Sequence, residues 1–166
     1  MTTTTAPRAN PLPEFDQEMS VTRRLLERVP TDRGEWRPHA KSFPLGHLAQ
    51  LVARMPGWLP AMLREPHIDL ASSRGYSFEP TEALLAEFDA NVSAARVALD
   101  SATAADLEGS WSLRHGENVL LTQSRGTAVR THLHHMIHHR AQLGVYLRLN
   151  DIPVPSMYGP TADERW

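Results

Sequence analysis

"THLHHMIHHRAQLGVYLRLN", residues 131–150, places five histidines within eight positions: His132, His134, His135, His138 and His139. The stretch belongs to a helix predicted to start between Thr122 and Gly126 and to run to Leu149. Asn150 and Asp151 supply a stop and Pro153 confirms it. At about 100° per residue, His135 and His139 lie about 40° apart, one turn from each other. Ala128, His132, Met136, Gln142, Leu143 and Tyr146 flank the same arc, and Arg130, Arg140 and Arg148 fall on the opposite side. The wheel therefore predicts His135 and His139 facing the core, with His134 and His138 at the stripe's edge. His132 is expected at the surface, the edge or beside a ligand, and Arg140 is expected to face outward.

Two histidines at i and i+4 on one helical face reach a single ion, as in many helical metal sites. A metal would also relieve the cost of burying two imidazoles without partners. Two other readings stand beside this one. The pair could be core histidines bonded to neighbouring side chains, or part of a histidine-rich tract that binds metal loosely at the surface.

Working outward, the rest of the chain also follows helical spacing. Phe15, Met19, Thr22, Leu26 and Val29 mark one face of a first helix from about Pro13, ended by Pro30. A second opens near Pro44 with Leu48, Leu51, Val52 and Met55 as its stripe. "MPGWLP" interrupts it before a further turn or two to Arg64. Residues 65–80 form a connection. Thr81 is the expected N-cap of a third helix carrying Leu85, Phe88, Val92, Ala95 and Leu99. Residues 101–121 fit a hairpin or a coil equally well. The tail "IPVPSMYGPTADERW" is Pro-rich and expected to pack against the helices. The prediction is all-α: a four-helix bundle with a long crossover between helices 2 and 3, as a single domain over 13–166 preceded by a flexible segment over 1–12.

Composition narrows the function. The chain has 166 residues, 41% of them hydrophobic and 22% charged, with a net charge of -2 and no cysteine. There is no electrostatic case for nucleic acid or an anionic membrane surface. The absence of cysteine removes disulfides, thiolate ligands and cysteine nucleophiles together. "MTTTTAPRANPLP" has no apolar core of a secretory signal and no run reaches membrane-spanning length, so a cytoplasmic protein is expected. No Gly-rich phosphate loop and no GxSxG is present. Glu117, Tyr146 and the His115/Glu117 pair of "HGEN" offer weak acid–base candidates only.

"HHMIHHRAQLGVYLRLNDIPVPSMYGPTADE" resembles the DinB-like superfamily of metal-dependent proteins. The HxxxHRxQ core, the VYLRL run and the tail carry the likeness, and "WRPHAKSFPLGHLAQLVARMPGW" and "WSLRHGENVLL" extend it over most of the chain. The resemblance implies the four-helix bundle, a homodimer, and a divalent metal (zinc, nickel or iron) on three histidines, one on the second helix and two on the fourth. It also implies a small-molecule substrate and a transferase or hydrolase chemistry, in some relatives thiol-dependent. The two fourth-helix ligands fall on His135 and His139. The family's second-helix pattern, GxLAxHVAxxPGW, is "GHLAQLVARMPGW" here, so Leu51 occupies the expected ligand position and His47 lies one turn earlier. That turn is about 5.4 Å of axial rise, against metal–nitrogen bonds near 2 Å. Three outcomes stay open: His47 is the third ligand after a local shift, His39 or a water fills the gap, or the site is degraded and its metal weak or absent. In the last case the protein would be a non-catalytic dimeric bundle, stress-associated or binding a small ligand.

Overall fold

The computed structural model describes residues 12–72 and 74–165. The expected flexible segment therefore lies, up to residue 11, outside the described residues. Helix α1 spans Leu12–Leu26, and the predicted face is the buried one: Phe15, Met19, Thr22 and Leu26 are all in the interior. Thr22 is tolerated there because its hydroxyl donates to the Glu18 carbonyl at 2.6 Å. Helix α2, Leu45–Arg54, follows Pro44. At "MPGW" the chain does not break. It tightens into a 3-10 turn over Met55–Trp58 and resumes as α3, Leu59–Arg64, with prolines in the first turn of each piece, where the missing N–H costs least.

Residues 65–80 cross over to α4, Thr81–Ser101. Thr81 is not the cap: it is the first helical residue after Pro80, and its hydroxyl donates to the Val29 carbonyl at 2.7 Å. That bond ties the start of α4 to the end of α1. The crossover is pinned at three points. The Ser77 N–H donates to Gln50 Oε1 at 2.7 Å, Arg54 Nη1 donates to the Gly75 carbonyl at 3.0 Å, and the Phe78 ring lies against Gly34 and Gly46. A methyl group on Gly46 would sit 2.1 Å from Phe78 Cδ2, so only glycine admits the ring there.

The all-α expectation is corrected in one region. After the short α5, Ala104–Glu108, strands β2 (Ser110–His115) and β3 (Asn118–Ser124) form an antiparallel hairpin. Gly116, at φ +58°, supplies the left-handed turn within "HGEN". A third strand, β1 (His67–Asp69), lies in the crossover and pairs parallel to β2, giving the order β1-β2-β3. The pairing joins His67 to Ser112, a long-range contact that no local pattern encodes. Trp111, 4% exposed, anchors the sheet in the core.

Helix α6 spans Arg125–Leu149, capped by the Ser124 hydroxyl and ended at Asn150, with Asp151 in the left-handed region at φ 59°. α1 packs on α4 and α6, and α2 packs on the same two helices, around one buried cluster. The stripe α6 turns inward is Val129, His132, Leu133, Met136, Arg140, Leu143 and Leu147. Arg140, expected to face outward, is instead 1% exposed. Its guanidinium pairs with Glu18 at 2.6 Å and donates to the Glu18 carbonyl and the Thr22 hydroxyl, each at 3.1 Å. It also donates to the Tyr158 hydroxyl, which in turn donates to Glu18 at 2.7 Å. The tail is held by the same device: Arg24 pairs with Glu164, and Arg148 with Asp163.

Arg140→Ala would strand the buried Glu18 carboxylate, and a loss of about 3–5 kcal/mol is expected in urea denaturation. Tyr158→Phe removes one link of the network and should cost about 1–2 kcal/mol in the same assay.

Candidate functional site around the histidine helix

Three histidines of α6 climb one flank of the helix, each with a different environment. His132 is buried and its Nε2 bonds the Met55 carbonyl at 2.7 Å. This carbonyl lies at the α2 kink, so the bond ties α6 to the turn that Pro56 enforces. The Trp58 ring stacks on the imidazole, with centroids 5.4 Å apart. Burial pushes the His132 pKa down to about 4, opposed in part by the hydrogen bond to Met55. It is therefore a neutral interior residue, deeper than the surface, edge or ligand-side position expected of it.

His135 and His139 form the pair expected from their spacing. Their Nε2 atoms are 2.8 Å apart. The pair lies on the flank of the buried stripe: His135 is exposed and His139 half-buried. The wheel had centred the stripe on them because it counted Arg140 as outward; burying Arg140 rotates both histidines toward the helix edge. His139 Nδ1 bonds Gln142 Oε1 at 2.8 Å. An amide oxygen only accepts, so Nδ1 of His139 carries the proton and its Nε2 presents a lone pair. His135 Nε2–H then donates to it. Partial burial lowers the His135 pKa, and the neighbouring His139 and His138 lower it further. Gln142 is thus an orienting residue, of the kind that fixes a ligand imidazole's tautomer. Its position within HxxxHRxQ was the available signal.

The α2 side is different. His47 is sandwiched between Phe43 (4.3 Å) and Tyr76 of the crossover (4.1 Å), both nearly parallel to it, and burial lowers its pKa. Phe43 also approaches His139, at 6.5 Å between centroids. With Phe43 beside His139 and Met55 bonded to His132, α2 runs antiparallel to α6 here. Leu51, 8% exposed, falls between these two levels. His39 sits in an exposed loop, its Nδ1 accepting from the Lys41 N–H at 3.1 Å. Among the described residues no three His, Asp or Glu side chains gather at a spacing that holds one ion. His134 and His138 are exposed, as are His115 and Glu117 at the hairpin turn. Tyr146 packs edge-on against Trp36, 5.6 Å away, in a structural contact.

No family model and no curated protein matches the sequence. Solved structures do. A DinB-like protein from Bacillus subtilis is 17% identical with a TM-score of 0.69, the match covering 93% of this chain and 98% of that one. The chain has the DinB-like fold. A second DinB-like protein, from Bacillus cereus, is also 17% identical, with a TM-score of 0.67 over 89% of this chain and 95% of that one. At this identity the likeness is one of backbone course and includes most of both chains. No helix among the described residues of this DinB-like fold is long and apolar enough to cross a membrane.

The 2.8 Å separation of the two Nε2 atoms is that of the hydrogen bond between them. Two donors come from this flank of α6, and Leu51 offers none from α2.

His132 also sets a pH dependence. Its folded pKa is depressed below the ordinary 6.5. The unfolded chain therefore binds the extra proton first, and stability falls as pH drops through the window from about 6.5 to 4. Lowering the pH from about 7 to about 5 should cost about 2 kcal/mol by urea denaturation. His132→Gln should flatten that slope, leaving only the smaller contributions of His135 and His47, which have the same sign.

Proposed function

We propose that the protein is a metal-dependent enzyme of the transferase or hydrolase type, acting on a small molecule, with His135 and His139 as the core of a divalent-metal site. The observation that carries this is the placement of His135 and His139 one turn apart on one flank with their Nε2 atoms facing each other, His139 being held by Gln142 in the tautomer a ligand needs; an ion would take the place of the Nε2 proton that His135 donates. Zinc, nickel or iron suits imidazole donors. The bound ion would supply Lewis acidity, or would lower the pKa of a water or a thiol. Any thiol belongs to a cosubstrate, since this chain has no cysteine. The chain's own contribution is to orient the imidazoles: Gln142 fixes one ring, and the buried Arg140 fixes the helix that carries both. His47 joins as third ligand only if its ring shifts toward the pair, since among the described residues no third donor stands within reach of one ion.

A second reading has its own support. Leu51 is buried at the level where a third donor would stand, and His47 is engaged by two aromatic rings. A DinB-like helical protein with a degraded site, non-catalytic and binding a small ligand without metal, fits those two observations.

Elemental analysis of untagged protein after zinc and nickel supplementation separates the two. About one ion per chain, lost in His139→Ala and bound about 10–100-fold more weakly in Gln142→Ala, supports the enzyme reading. A metal-free wild type that gains tight binding in Leu51→His supports the degraded site.

The homodimer belongs to both readings. Val119, Leu120 and Leu121 are exposed on β3, the outer strand of the sheet, which carries no charged residue from Asn118 to Ser124. Such an edge invites pairing with a second copy. Analytical ultracentrifugation should give a dimer that Leu120→Lys shifts toward monomer; a wild-type monomer at all concentrations would remove the dimer from the proposal.

A further inference from the structure

A cleft of ≈ 350 Å3 opens where the crossover passes over the α2–α3 kink and α4. It adjoins the histidine row without containing any of it. Two aromatic side chains are shared: Trp58 and Tyr76 line the cleft, and each also stacks on a histidine, His132 and His47 respectively. The size is at the lower end for small-molecule sites.

The wall is chemically mixed. Trp58, Ala61, Ile68 and Leu70 supply apolar surface, beside the polar Arg54, Asp69, Arg74, Glu87 and Asn91. Most of those polar groups are already committed. Arg54 donates to Glu87 at 2.8 Å and to the Gly75 carbonyl, so the two charges cancel. Asp69 accepts from the Ala71 and Gly116 N–H groups, each at 2.9 Å. Asn91 Nδ2 donates to the Ala53 carbonyl at 3.1 Å. Arg74 and an oxygen of Asn91 are among the groups left over. Arg74, exposed at the cleft, has no ion-pair partner among the described residues. Asn91 Oδ1 lies against Gly57, where a Cβ would come within 2.6 Å of it, so the glycine keeps this acceptor in place at the cleft wall.

A guanidinium without a counter-ion beside a flat apolar wall with an indole in it selects for a planar group carrying a carboxylate. We propose that this cleft is a binding site for small aromatic carboxylic acids, with Arg74 meeting the carboxylate and Trp58, Ala61 and Ile68 meeting the ring. The site needs no metal and does not rest on the function proposed for the His135–His139 pair. Through Trp58 and Tyr76 a bound ring would touch the two side chains that pack on His132 and His47.

The test is a titration of untagged, 15N-labelled protein followed by amide and indole NMR shifts. Benzoate is the probe, benzyl alcohol the neutral comparator of similar size, and acetate the charge without the ring. Expected are saturable shifts at the Trp58 indole and at residues 57–61 and 87–91, with benzoate binding about five-fold more tightly than benzyl alcohol and acetate not saturating. Arg74→Ala, at an exposed position, should erase the preference for benzoate while leaving the thermal midpoint unchanged. Ala61→Phe should fill the cleft and abolish both. His139→Ala should leave benzoate binding intact, which separates this site from the metal proposal. Equal binding of the two aromatic probes, shifts scattered without saturation, a preference that survives Arg74→Ala, or benzoate binding lost in His139→Ala would each overturn it.

Discussion

The burial of Arg140 governs how α6 faces the rest of the molecule. A guanidinium that is 1% exposed cannot rotate away from Glu18 without leaving both charges uncompensated, so the helix is locked about its own axis. With that rotation set, Met136, Leu133 and Val129 must pack inward, His132 must reach the α2 kink, and His135 and His139 must emerge together along one flank. The chemistry available to the protein follows from a salt bridge on the other side of the same helix.

That dependence explains what could be read from the sequence. The helices were legible because their buried positions recur every three or four residues: Phe15, Met19, Thr22 and Leu26 in α1, and Leu48, Leu51, Val52 and Met55 in α2. The kink at "MPGWLP" and the stop at Asn150 were legible because proline and asparagine act locally. The wheel of α6 failed at one residue. Arginine counts as a surface residue by type, and nothing within α6 announces that Glu18, 122 positions earlier, supplies its partner. Counting Arg140 as outward centred the inferred core on His135 and His139 and left His132 at its flank. The hairpin was half-legible, with "HGEN" a good turn between short apolar runs, while the parallel strand at His67–Asp69 depends on pairing across the intervening α4.

The candidate site shows the same division. The His135–His139 approach follows from a four-residue spacing and was predictable. The role of Gln142 follows from the same spacing, three residues further on. The fate of His47 did not follow, because its two stacking partners come from the loop before α2 and from the crossover. Tyr76 reaches it only because Gln50, Arg54 and the glycine pair under Phe78 hold the crossover down. Contacts from other elements thus place each imidazole: His132 is tied to the Met55 carbonyl, His47 is packed between two rings, and His135 and His139 have each other.

The network of Glu18, Arg140 and Tyr158 also bears on how the protein is made. Its members are separated by up to 140 positions. During synthesis the first helix emerges long before its partners. Until residue 158 has emerged, Glu18 lacks one of the partners that make its burial tolerable. The closed fold is therefore completed by the tail, and α1 takes its final place only once residue 158 has emerged.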